Sequence, residues 1–294
     1  MVRLTKKVTL FDGVNATVLL VVSLLCVLPF LHVLAVSLSN GNHVVSGDVF
    51  LLPQGFNLEV YKYILNNPRL HIASGLANSF LYMGIGTVFA VLLTFLTAYP
   101  LSRKKLKGRY AIMLVFLFTW IFEAGLIPNF LVLKSLGFVN SMWVMIIPAA
   151  INTFLLIVTR SFLDTLPDEL EEAAFIDGAN DFQIMWRVFL PLCKPVLATI
   201  AVFYAVGIWN SFLVPLIYLQ DKGMHPIQLV LYTLVINPDP SSTNLEHIKS
   251  NGYLLLPQNI KAAAIFLAVF PILFVYPLAQ KYFTKGFLIG SVKG

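Results

Sequence analysis

Seven carboxylates, Asp164, Asp168, Glu169, Glu171, Glu172, Asp177 and Asp181, fall within eighteen residues and make up half of the 14 acids in the chain. So dense a cluster is either a solvated face or a surface on which something docks, and charge alone favours the solvated face. The other chemistry-bearing residues do not assemble an enzyme. His32, His43, His71, His225 and His247 lack metal-ligand spacing such as H-E-x-x-H, and no Ser-His-Asp signature appears. No G-x-x-x-x-G-K-[ST] loop is present to cradle a nucleotide phosphate, and Gly84-Ile85-Gly86 runs on into Thr87-Val88-Phe89 instead of a dinucleotide-binding pattern. No metal site is expected.

The local pattern moves the acidic segment towards docking. Pro167 suits a first helical turn, Asp168 and Glu169 complement the amino-terminal dipole, and Gly178 marks a stop. On the resulting short helix Leu170, Ala173 and Ala174 share a face, and two alanines let another backbone come close. Beyond Gly178, Asn180 followed three residues later by Gln183 reads as a capping pair. It opens a second short helix through Trp186 and Arg187, which Pro191 is expected to end. Joined through Pro191 and Pro195 to the apolar run that follows, the pair reads as a rigid lever on which a docked partner would pull.

The elements that must carry this lever are membrane helices. Of 294 residues 58% are apolar and only 12% charged, too greasy for a soluble enzyme of this length. A bilayer core about 30 Å thick needs roughly 20 apolar residues per helical crossing. Six spans are predicted, at about 14–38, 75–101, 110–133, 141–163, 196–219 and 262–283, within one all-α transmembrane domain covering 1–294. The first is too long for the core of a secretory signal and reads as a retained anchor. The third is interrupted by Glu123, Gly125 and Pro128. Cys26 and Cys193, in or beside apolar runs, say little about redox compartment.

Lys and Arg in short loops resist translocation. Placing the amino terminus inside puts fourteen of the 20 basic residues in cytoplasmic segments, among them Arg103, Lys104, Lys105, Lys107 and Arg109. Both termini are therefore expected in the cytoplasm, with a loop at 164–195 on the same side and long external segments at 39–74 and 220–260. The Arg103–Arg109 cluster is sufficiently explained by topology and by attraction to anionic lipid. The net charge of +6 thus reflects topology, and no basic face with interleaved aromatics points to nucleic acid.

Glu172-Ala173-Ala174, Asp177-Gly178-Ala179 and Leu190-Pro191 with Pro195 together resemble the "EAA" loop of ABC importer permeases, with Val188 where that family usually has Ile. The resemblance covers nearly the whole chain and is closest to the carbohydrate-uptake, maltose-permease-like branch. Ala98-Tyr99-Pro100-Leu101-Ser102-Arg103, Gly125-Leu126-Ile127-Pro128, Leu166-Pro167-Asp168-Glu169-Leu170-Glu171-Glu172 and Ala205-Val206-Gly207-Ile208-Trp209-Asn210 carry it. Within that branch, permeases for oligosaccharides from plant or algal polysaccharides, acidic ones included, are nearest.

The resemblance implies an inner-membrane, multi-pass subunit assembled with a second homologous permease, two cytoplasmic ATPase subunits and an extracytoplasmic solute-binding protein. ATP and Mg would sit on the ATPases, with no cofactor on this chain. Coupling would run through Glu171, Glu172, Ala173, Ala174, Asp177, Gly178 and Ala179. A sugar would be held by aromatic rings and amides, for which Glu123, Asn152, Tyr204, Trp209 and Asn210 are the candidates. Each has a plainer reading: Tyr204 and Trp209 as packing or interfacial anchors, Asn152 and Asn210 as interhelical hydrogen-bonding glue, and Glu123 as an external surface residue. A secondary transporter, a membrane enzyme and an ABC permease for a non-sugar solute are the rival readings.

Overall fold

In the computed structural model, residues 9–236, 248–250 and 253–290 are described. The basic residues Arg3, Lys6, Lys7 and Lys293 and most of the Pro-, Asn- and Ser-rich stretch from Asn237 lie outside them. Among the described residues the regular elements are helices apart from one small hairpin. It divides into two compact units, one of Met1–Ile72 with Leu231–Val269, the other of Ala73–Val230 with Phe270–Gly294.

The first unit begins with α1 (Leu10–Ser37), opened by a Thr9 cap whose hydroxyl accepts from Asp12 N–H while the Asp12 carboxylate accepts from Thr9 N–H. Helix α1 is apolar along its length, and only Ala35 and Ser37 on it are buried. Two short helices follow, α2 (Gly41–Val45) and α3 (Glu59–Asn66), so the 39–74 segment is structured. The Ser37 hydroxyl bonds the Tyr61 phenol at 2.7 Å, and burial pushes the Tyr61 pKa up. The hairpin pairs β1 (Ile248–Ser250) with β2 (Tyr253–Leu255) antiparallel, Lys249 opposite Leu254. It was not expected from the sequence.

The second unit holds the acidic loop. Helix α4 (Ile72–Ser102) is long enough to cross a bilayer. Helices α5 (Arg109–Ile121) and α6 (Leu126–Ser135) are bent by 115° across a break that ends at Gly125, whose φ of +80° only glycine adopts readily. The predicted third span is therefore two helices. So is the fourth, where α7 (Trp143–Ile146) and α8 (Thr153–Leu163) flank an irregular stretch containing Pro148. Helices α9 (Glu169–Ile176), α10 (Asp181–Gln183) and α11 (Leu190–Leu192) form the acidic loop, with a π-helical turn at Ile184–Phe189 between the last two.

Helix α12 (Lys194–Trp209) then gives way at Asn210 to α13 (Leu213–Tyr218), so the predicted fifth span is also interrupted. Helices α14 (Ile227–Val235) and α15 (Pro257–Gly290) complete the chain. Among the described residues three helices are long and apolar enough to cross a membrane, or up to five if each bent pair is one span. The core of the second unit lies where α4, α8, α12 and the acidic loop meet, around Phe95, Leu156, Ile184, Phe189 and Ile200. Burial of such side chains in lipid is a matter of packing, since the tails outside are equally apolar.

Candidate functional site

Helix α9 forms as its residues dictate: it starts after Asp168, carries Glu169, Glu171 and Glu172 in its first turn, and stops at Gly178 with φ +79°. The capping pair also forms. Asn180 Oδ1 accepts from Gln183 N–H at 2.8 Å, and Asn180 N–H donates to Gln183 Oε1 at 3.0 Å. Pro191, however, does not end the second helix, which runs on through Leu192 before a 77° bend at Cys193. The π-turn supplies the reason. A proline ring clashes with the carbonyl four residues back, and a widened turn immediately upstream relieves that clash.

The acidic cluster is not uniformly solvated. Glu171 is only 9% exposed and lies between two cations, with Arg103 Nη1 at 3.2 Å from Oε2 and Lys105 Nζ at 3.0 Å from Oε1. Arg103 is buried too, and its remaining donors reach Ser102 Oγ at 3.0 Å and the Leu163 carbonyl at 3.3 Å. Its guanidinium carbon stands 4.4 Å from the Phe189 ring centroid and 5.3 Å from that of Tyr99. Lys104 and Asp168 form an exposed bridge of 2.7 Å. That bond holds the Asp168 carboxyl below its usual pKa and raises the Lys104 ammonium above its own.

These contacts amend the reading of the basic cluster. Arg103, Lys104 and Lys105 are engaged with the acidic loop of the same chain, across 64 to 68 residues of sequence. Removing one member of a buried pair leaves the other charge without compensation, at a cost of ~3–5 kcal/mol. Lys105 moderates that cost at Glu171, whereas Arg103 has no second carboxylate within ion-pair distance among the described residues.

The expected docking face is also turned. Leu170, Ala174 and Ala179 pack against the chain's own core, while Glu172, Ala173, Asp177 and Gly178 are exposed. Beside them stand Phe175, Phe182 and Ile176, the last 86% exposed. Sequence reasoning passed over these three; the signal was an apolar pair, Phe175-Ile176, set against acids in a segment that is not a span. An exposed surface of small and large apolar groups rimmed by Glu172, Asp177 and Asp181 suits a protein partner.

The candidate path residues separate into two sets. Tyr204 is 5% exposed, and its hydroxyl accepts the Asn152 backbone N–H at 2.9 Å and bonds Thr94 Oγ1 at 2.7 Å. Trp209 is 2% exposed and meets Phe80 edge-on at a centroid distance of 5.0 Å. It also lines an apolar cavity of about 310 Å³ with Met83, Val206 and Phe270, which offers nothing to sugar hydroxyls. Packing, the plainer reading, describes both. Asn152, Asn210 and Glu123 are exposed: Asn152 caps α8 by accepting from Leu155 N–H, Asn210 ends α12, and Glu123 sits in the α5–α6 break.

Residues 90–288 match the family described as "Binding-protein-dependent transport system inner membrane component". Protein LplC of Bacillus subtilis is 41% identical over 292 residues, covering 99% of this chain and 97% of the relative. The polygalacturonan/rhamnogalacturonan transport system permease protein YtcP of the same organism is 43% identical over 285 residues, covering 97% of this chain and 99% of its own length. A chain in the crystal structure of a bacterial ABC transporter involved in the import of the acidic polysaccharide alginate shares the fold, with a TM-score of 0.85 at 29% identity. The match covers 96% of this chain and 100% of that one. The apolar helices, the acidic loop closed by Gly178 and these likenesses lead to one assignment: the chain belongs to the binding-protein-dependent inner-membrane permeases.

Proposed function

We propose that this chain forms half of the translocation path of an ATP-driven importer for acidic oligosaccharides derived from polysaccharides. The observation that carries the reading is the acidic loop, fixed to its own chain through Glu171 and presenting Ala173, Phe175, Ile176 and Gly178 outward. A groove on a cytoplasmic ATPase would receive that surface. Two such ATPases, a second homologous permease and an extracytoplasmic solute-binding protein complete the assembly, and ATP and Mg belong to the ATPases. In this reading the chain makes six crossings, has both termini in the cytoplasm, and works as one permease domain.

ATPase closure would push α9 and tilt the membrane helices, so that the cavity alternates between outward and inward access. Glu123, Asn152 and Asn210 are the residues through which hydroxyl groups of a sugar would be met. Tyr204 supports Asn152 from behind, and Trp209 packs the wall. The acidic substrate class is supported by two relatives, one a permease of a polygalacturonan/rhamnogalacturonan transport system and the other a chain of an alginate importer.

The test is co-expression of a tagged chain with partner ATPase and permease subunits, comparing wild type with Gly178→Asp. Retention of the ATPase by the wild type and its loss in the variant support the coupling surface. If no ATPase is retained, the importer reading fails and a secondary transporter returns. Stimulation of hydrolysis by a binding protein loaded with oligogalacturonate, but not with a neutral oligosaccharide, supports the acidic class; the opposite preference overturns it.

A further inference from the structure

Arg103 ties the end of α4 to a stretch some 60 to 86 residues further along the chain, from the last turn of α8 to the π-turn. Its guanidinium bonds Glu171 on α9, the Leu163 carbonyl at the last turn of α8 and the Ser102 hydroxyl at the end of α4, and covers Phe189 in the π-turn. The backbone, in contrast, leads from α9 to α8 through the short segment 164–168 and to α12 through a left-handed Gly178, a π-turn and a 77° bend at Cys193, but reaches α4 only by way of α5 to α8. A push on α9 has two ways in. One follows the chain to α8 and α12, and the other crosses a buried ion pair to α4.

We propose that Arg103 and Glu171 are positioning residues for coupling: a latch through which α9 drives α4 directly, in addition to α8 and α12 through the chain. The inference rests on the importer reading above and adds the route that motion takes within this subunit. Glu171 then has a different task from its neighbour Glu172. Glu172 is exposed and faces a partner, whereas Glu171 is buried and faces inward. Planar, multi-donor Arg fits this position; Lys cannot reach a carboxylate, a carbonyl and a hydroxyl while covering a ring.

Farther along the same two helices, the Tyr204 hydroxyl bonds both Thr94 on α4 and the N–H of Asn152 at the start of α8. The latch thus acts on a pair of helices already tied at a second level, beside one of the candidate path residues. Coupling between sites needs such discrete, packed connections rather than mere proximity.

The experiment uses the whole importer in proteoliposomes and reads two quantities: ATPase retained on purification, and the ratio of binding-protein-stimulated to basal hydrolysis. Arg103→Met and Glu171→Gln are compared with wild type, with Arg103→Lys, and with Lys104→Gln as a control on the exposed bridge. The latch predicts retained ATPase but a stimulation ratio lowered by about fivefold or more in Arg103→Met and Glu171→Gln. Arg103→Lys restores little, and Lys104→Gln leaves the ratio unchanged.

A purely structural role for the pair would lower yield and retention with the ratio intact, and that result overturns the latch. Should Arg103→Met fail to assemble, Glu171→Gln, which keeps shape and volume, decides. A wild-type ratio in Glu171→Gln overturns the latch alone, whereas a wild-type chain that retains no ATPase overturns the importer reading as well.

Discussion

The phenol oxygen of Tyr204 accepts the backbone N–H of Asn152 at 2.9 Å, so a side chain on α12 satisfies the residue that opens α8. Helix α8 begins after an irregular stretch, and the buried Tyr204 supplies the acceptor that this first amide would otherwise lack within the chain. Tyr204→Phe keeps the ring and removes this acceptor together with the Thr94 bond. The expected loss is ~1 kcal/mol, in line with interhelical hydrogen bonds in membranes, seen as a lower thermal unfolding midpoint of the purified complex. An unchanged midpoint would mean that the hydroxyl contributes nothing.

Gly178 is held at φ +79°, and a Cβ there would meet no atom within 4 Å. Substitution therefore costs conformation rather than space, about 1–2 kcal/mol for an ordinary L residue and less for Asn, which visits the left-handed region more readily. Retention of the ATPase should follow the order Gly, Asn, Ala, Val. Equal retention by Gly178→Asn and Gly178→Val would show that the backbone turn is immaterial to docking.

Gly86 is governed by the opposite term. A Cβ at this position would lie 2.7 Å from Ile208 Cδ1, the far end of a side chain able to shift. Gly86→Ala should be nearly neutral, and Gly86→Leu should cost about 1–3 kcal/mol by overpacking α4 against α12. Thermal midpoints of the two variants side by side test the distinction.

The Lys104–Asp168 bridge sets a pH window. Asp168 has a pKa below its ordinary 3.8, first because of the hydrogen bond from Lys104, so its contribution is complete above that value and is lost as pH falls through the lowered pKa. Lys104, raised above 10.5 by the same bond, contributes below that value and loses its contribution as pH rises through the raised pKa. Hydrogen exchange in residues 164–178, corrected for its intrinsic pH dependence, should therefore be flat from about pH 5 to 9. Below pH 3.8 protection should fall in the wild type and change little in Lys104→Gln.

What could be read from the sequence was what is decided locally. The Asn180–Gln183 cap, the Gly178 stop and the start of α9 after Asp168 each depend on neighbours within a turn, and the structure has them where the residues indicated. The Arg103–Glu171 pair spans 68 residues and leaves no periodic trace. The break in the third span was legible in Glu123, Gly125 and Pro128, whereas those in the fourth and fifth were hidden because hydropathy sums side chains and is blind to backbone; Pro148 sits in one of them. Residue type already favoured packing for Tyr204 and Trp209, but pattern could not orient them, since a run apolar on every face has no polar side to give its rotation away.

Helix α1 has that uniformity in its strongest form. It is about 42 Å long at 1.5 Å per residue, nearly every side chain on it is exposed, and only its last turns touch the rest of its unit. There the Asn259 amide donates to the Val36 and Ser39 carbonyls at 2.8 and 3.0 Å. A greasy rod fastened at one end is a mast on a pivot: the anchorage fixes where it leaves its unit, and what lies along its open side, lipid or a second subunit, sets its lean.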